Sequence, residues 1–157
     1  MGPSAGVHVT AKLRDLRRLG LEPAQLPTLE DVPAAVMKPL METFDDSLDA
    51  CCEDCHSKSD LHAPTRAKRI SEAMWDRFTR QLVTTDGNPV YCDSCHDGAA
   101  RFLDRRDPEA LRRWMRDTYV ARLRQHDGSA VTCATCHGEP FEPRLVDRMA
   151  SAGRPGH

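Results

Sequence analysis

A single sentence of sequence, written twice 41 positions apart, constrains this chain more than anything else in it. The stretch 69–98 reads as an amphipathic helix with Ile70, Met74, Phe78 and Leu82 on one face. Asp86-Gly87 stops it, a short Pro89-Val90-Tyr91 run follows, and then comes Cys92-Asp-Ser-Cys95-His96. The second copy repeats the face with Leu111, Met115, Tyr119 and Leu123, the stop with Asp127-Gly128, and the run with Val131-Thr132. It ends in Cys133-Ala-Thr-Cys136-His137. A more divergent copy sets Val36, Leu40, Phe44 and Leu48 ahead of Cys52-Glu-Asp-Cys55-His56, 40 positions before Cys92. No segment alternates convincingly enough for a strand. The expected fold is all-α, a small protein of helix-plus-motif units with long irregular connections.

The repeated motif has a physical logic. Two cysteines three apart fit the two vinyl groups along one edge of a porphyrin, and the adjacent histidine swings beneath the ring to ligate its iron. Cys-x-x-Cys-His is the sequence signal for covalent c-type haem. One copy alone could be half a zinc ribbon or a pair of redox thiols. Three copies, each with histidine directly after the second cysteine, predict three covalently attached haems c. The thioether cysteines are then Cys52, Cys55, Cys92, Cys95, Cys133 and Cys136, and the proximal iron ligands are His56, His96 and His137.

The sixth iron ligand decides what such a haem does. Met74 and Met115 each stand 18 residues before the first cysteine of their motif, on the apolar face of the helix. One methionine on such a stripe is ordinary core filler. Two at the same offset are expected to ligate, and a soft thioether favours Fe(II) and raises the potential. At the first motif the same count reaches Ala34, so the repeat offers no methionine there. Met41 is the expected ligand, preferred to Met37 because Pro39 fits best in the first turn of a helix and leaves Met37 outside it. His62 and His126 fall outside the repeat and read as loop or helix-end residues, while His8 is an alternative ligand for one haem. Cys51, the odd one among seven cysteines, reads as a bystander thiol.

The chain divides around these units. Residues 1–32 hold a short helix over Val9–Leu19 closed by Gly20, then a proline-containing linker expected to wrap the body. The haem units are expected over 33–62, 63–106 and 107–138, followed by an irregular tail, 139–157, with one helical turn at Leu145–Met149. Pro64 is expected to open the second unit's helix, and Asp107-Pro108-Glu109 is an N-cap with proline at the first helical position. A turn of helix is expected around Phe102 and Leu103. Trp75 and Trp114 are expected to pack beside the porphyrins. At 157 residues the whole is expected to be one trihaem domain.

Two stretches now resemble a known family. Met41-Glu-Thr-Phe44 through Leu48 leads into Cys52-Glu-Asp-Cys55-His56, and Lys68-Arg69-Ile70 through Met74 leads into Cys92-Asp-Ser-Cys95-His96-Asp-Gly98. Their order is similar to the tetrahaem cytochrome subunit of bacterial photosynthetic reaction centres and its non-photosynthetic relatives, in which a methionine-bearing helix precedes most attachment sites. The resemblance spans roughly Val36 to Gly138 and implies Met41, Met74 and Met115 as axial ligands. This chain departs from it in having three motifs rather than four, and one haem of that family takes a second histidine.

Composition agrees with a haem-filled interior. Only 39% of residues are hydrophobic and 5% aromatic, lean for a self-sufficient core, and three porphyrins fill that deficit. With 22 basic and 24 acidic residues, charge selects neither nucleic acid nor a membrane surface, and no apolar run approaches a membrane span. Haem attachment takes place outside the cytoplasm. Because Met1–Gly6 shows no basic region followed by an apolar one, the chain is expected to be a mature or trimmed form. The expected function is one-electron transfer between redox partner proteins, or within a larger electron-transfer complex, in the periplasm or another extracytoplasmic space. The rival readings are a reductase or peroxidase-like enzyme with one open haem, and a structural or sensory haem module.

Overall fold

The computed structural model describes residues 7–151. Helix α1 (Lys12–Arg18) buries Leu13 and Leu16, and Gly20 closes it in the left-handed region at φ 81°. Thr10 accepts from the Lys12 N–H just ahead of it, so Val9 falls outside the helix and is exposed. The linker beyond Gly20 wraps the body as expected. It makes two short 3-10 turns, Pro23–Gln25 and Leu29–Asp31, and buries Leu21, Leu26 and Val32.

Helix α2 (Ala34–Leu48) begins right after Pro33 and carries Pro39 inside it. Met37 therefore lies within the helix, contrary to the expectation that Pro39 opens it. The break is tolerated because the carbonyl that Pro39 cannot reach is that of exposed Ala35, where water is available. Leu40, Thr43, Phe44 and Ser47 form the buried face. Helix α3 (Cys52–Cys55) follows, then α4 (Arg66–Met74), whose N-cap is Thr65 rather than Pro64: its hydroxyl accepts from the Lys68 N–H.

At Met74 the α-helix gives way to a wider π-turn over Trp75–Thr79, and the same happens at Met115, where α6 (Pro108–Met115) passes into a π-turn over Arg116–Val120. Side chains spaced by four drift around a helix of 3.6 residues per turn, and one wide turn cancels the drift. Ile70, Met74 and Phe78 thus stay aligned, as do Leu111, Met115 and Tyr119. The helix ends there. Leu82 and Leu123, expected on the helical faces, instead open two strands, β1 (Leu82–Thr84) and β2 (Leu123–Gln125). Asp86-Gly87 and Asp127-Gly128 are hairpin turns that bring Pro89 back to Val83 and Ala130 back to Arg124.

The strands pair antiparallel, and Val83 faces Arg124, its own counterpart in the 41-residue repeat. A local two-fold axis therefore passes through that pair. Beyond the strands the bonds obey it too: His126 N–H donates to the Gln81 carbonyl and Thr85 N–H to that of Arg122. Around the axis lies a core of matched residues, Leu82 with Leu123 and Val90 with Val131, flanked by Phe78 and Tyr119. A second core joins α1, the linker and α2 to Trp75 and Tyr91. There the rings of Phe44 and Trp75 lie 5.8 Å apart, and the Trp75 indole donates to the Pro27 carbonyl at 2.8 Å. The fold is mostly helical, with this one small sheet among the described residues.

The remaining helices are α5 (Cys92–His96), α7 (Cys133–His137) and α8 (Leu145–Ser151). Asp107 caps α6 through the Glu109 and Ala110 N–H groups, with Pro108 at the first helical position as the sequence predicts. No helical turn forms around Phe102 and Leu103. The tail is less irregular than expected, because α8 packs on α4, buries Met149 and fixes Arg66 to Asp147 at 2.6 Å.

Candidate functional site

Each Cys-x-x-Cys is one turn of helix, which sets its two cysteines on one side, three positions apart. The same device builds all three turns. An extended residue precedes the first cysteine, and the side chain just before the second cysteine reaches back to its N–H. Asp54 accepts from Cys51 at 2.8 Å, Ser94 from Tyr91 at 3.0 Å and Thr135 from Thr132 at 2.9 Å. These capping side chains passed unnoticed in the sequence. Their signal was there, since an Asp, Ser or Thr stands at the same position in every motif.

The histidines share a second device. His56 Nδ1 lies 2.9 Å from the Leu61 carbonyl, His96 Nδ1 2.9 Å from that of Ala99, and His137 Nδ1 2.8 Å from that of Glu142. A carbonyl only accepts, so Nδ1 carries the proton and Nε2 keeps its lone pair. That is the tautomer in which an imidazole presents Nε2 to a metal, with the backbone fixing its plane. Burial lowers the His96 pKa and keeps that ring neutral.

Burial disfavours the thiolate at four of the motif cysteines. The Cys92 and Cys95 sulfurs sit among protein atoms while an edge of each residue stays accessible, and burial pushes both up to about 12. Burial raises Cys55 and Cys136 as well. Among the described residues no three His, Cys, Asp or Glu side chains converge on a metal ion.

What the surroundings fit is a large apolar plate. Helices α4 and α6 are amphipathic, yet neither buries a residue fully against protein. Ile70, Met74, Phe78 and their counterparts Leu111, Met115 and Tyr119 are all half-buried. Exposed Leu61 and Phe141 stand beside His56 and His137, Phe141 with its ring 4.6 Å from the imidazole. His96 meets Phe102 at 4.9 Å, and Phe102 meets Trp114 at 6.2 Å. Trp114 thus stands next to the second site as expected, whereas Trp75 is sealed inside the first core.

The family description "cytochrome c7 and related cytochrome c" matches residues 42–138, a stretch that contains all three motifs. The chain belongs to this family. It is a multihaem electron-transfer cytochrome that holds its haem c covalently. No curated protein and no solved structure matches the chain.

In this cytochrome the elements bring some predicted residues together. Met41 lies one turn before Asp45 on α2; the Asp45 carboxylate meets the Cys52 sulfur at 3.9 Å, while Met41 packs against the core of α1, the linker and α2. The buried face of α2 packs on α5 of the second site, where the Tyr91 hydroxyl bonds Thr43 at 2.6 Å. Met74 ends α4, which packs on α3 and carries Ser71 to the Cys55 sulfur. Met115 ends α6, one turn before Tyr119. His126 is occupied elsewhere: its Nε2 bonds the Ala24 carbonyl at 2.9 Å and ties the hairpin to the linker. His62 is exposed in the loop after the first site, and His8 lies on an arm pinned by the Thr10 hydroxyl to Asp93. Cys51 is exposed and bonds only its own turn, through Asp54.

Proposed function

We propose that the chain is a single-domain, extracytoplasmic electron carrier with three haems c, passing single electrons between redox partner proteins. One observation carries this reading above the others. All three motifs form the same capped turn, and all three histidines present Nε2 by the same Nδ1–H donation to a backbone carbonyl. Bound haem c supplies a one-electron Fe(III)/Fe(II) couple. The protein's part is to hold the imidazoles in plane, supply thioethers from Met41, Met74 and Met115, and set the surroundings of each site.

Those surroundings differ. The second site is half-buried, with Tyr91 and Ser94 sealed behind it and the Asp93 carboxylate acting on Cys92 and Cys95. The first site is acidic, with Asp45 and Asp54 beside Cys52 and Cys51. The order of methionine helix and attachment turn supports the likeness to the reaction-centre cytochrome subunit and its relatives, and no helix among the described residues is long and apolar enough to cross a membrane.

A reductive titration tests the carrier reading. Three electrons per chain are expected, in one-electron steps, with little spectral response to carbon monoxide. Stoichiometric carbon monoxide binding at one haem of the native protein would replace it with the reading of a small reductase or peroxidase-like enzyme.

A further inference from the structure

The second and third units pair across a two-fold axis at their strands, and each carries a counterpart attachment turn. Cys95 and Cys136 are counterparts in the repeat. The residues lining this junction come in like pairs, Leu82 with Leu123 and Val90 with Val131, until Phe78 meets its counterpart Tyr119. That exchange adds one hydroxyl to an otherwise apolar junction.

The Tyr119 oxygen is buried and has no hydrogen-bond partner in the protein. An orphaned buried hydroxyl is costly, so its persistence points to a partner that the polypeptide does not provide. Its ring is held by an edge-on contact with Trp114 at 5.1 Å and by the matched core beneath it. From Trp114 the ring contacts continue to Phe102 at 6.2 Å and from Phe102 to His96 at 4.9 Å, so the phenol stands on the second site's side, with Cys95 among the groups that act on it. The tyrosine of the third unit thus reaches across the axis toward the second site.

We propose that the Tyr119 hydroxyl is a tuning residue that makes the paired second and third haems inequivalent, by turning its O–H dipole toward the thioether edge held by Cys95. The positive end of that dipole withdraws electron density and favours Fe(II) at the second haem. Phe78 offers the third haem no such group. The inference rests on the trihaem reading above.

Tyr119→Phe tests it with a side chain already accommodated at the related position 78. Reduced-to-oxidised ratios are read for each step of a spectroelectrochemical titration. In the variant one step is expected to shift toward the oxidised form by a factor of about five, the worth of one ordinary hydrogen bond, with the other two unmoved. Adding Phe78→Tyr to that variant moves the hydroxyl across the axis, and a different step is expected to shift toward the reduced form. Phe78→Tyr alone gives the same second shift should Tyr119→Phe take up haem poorly. Three bound haems with every step unchanged, or all three steps moving together, would overturn the inference and leave the carrier reading intact. A chain without three haems would instead strike the carrier reading itself.

Discussion

Leucine in place of Met74 or Met115 separates an iron ligand from a packing residue. Both methionines end their α-helices and are half-buried, and leucine nearly conserves their volume. In a fully packed core such an exchange costs less than about 1.5 kcal/mol. With part of each side chain accessible, the cost stays below that figure. A domain with ordinary stability stays folded after such a loss, so the denaturant midpoint should move slightly and the slope not at all. The altered haem, by contrast, loses its sixth ligand, turns high-spin and binds one carbon monoxide per chain. Met74→His or Met115→His should keep that haem low-spin and lower one potential only, because imidazole favours Fe(III) more than a thioether does. Absorption spectra, carbon monoxide titration and potentiometry of the four variants read these outcomes. If both leucine variants keep native spectra, potentials and carbon monoxide insensitivity, the methionines are packing residues, and His8 and His62 become the ligands to test.

Asp45→Asn addresses the acidity of the first site. Burial, and then Asp46, raise the Asp45 pKa above its ordinary 3.8, so its charged form is the disfavoured one in the fold. The asparagine variant should therefore be the more stable at neutral pH, with its advantage fading as pH falls through the raised pKa and gone below 3.8. It should also raise the potential of one haem, and a decrease would contradict the placement of Asp45 at Cys52. Gly138→Ala should destabilise by about 1–3 kcal/mol, since Gly138 sits at φ 77°, ψ 179°, a backbone region that only glycine enters without strain. Denaturant melts with spectra recorded alongside check that the loss begins at the third site; an unchanged melt would show the positive-φ backbone there to be relaxed.

Much of the site was legible because covalent attachment demands fixed residues at fixed spacing. The three motifs, the 41-residue repeat and the Asp107-Pro108 helix start could be read directly. The ends of the long helices could not. A spacing of four looks the same whether a turn is α or π, so the wide turns at Trp75 and Arg116 left no mark, and Leu82 and Leu123 read as helical. Strands of three residues are too short to show alternation, and their stability comes from pairing with a counterpart 41 positions away. Pro39 misled for a different reason: its cost depends on whether the carbonyl before it meets water, which only the packing decides. The linker's attachments are tertiary in the same sense, since Trp75, Arg80 and His126 all donate to its backbone from distant units.

Intact-mass measurement tests the central claim most directly. Expressed with a haem-maturation system, the chain should weigh its polypeptide of 17.6 kDa plus three covalent haems, in one dominant species. Replacing both cysteines of any one motif with serine should remove a single haem. A chain that matures without covalent haem, or carries zinc and free thiols in its place, would contradict the account.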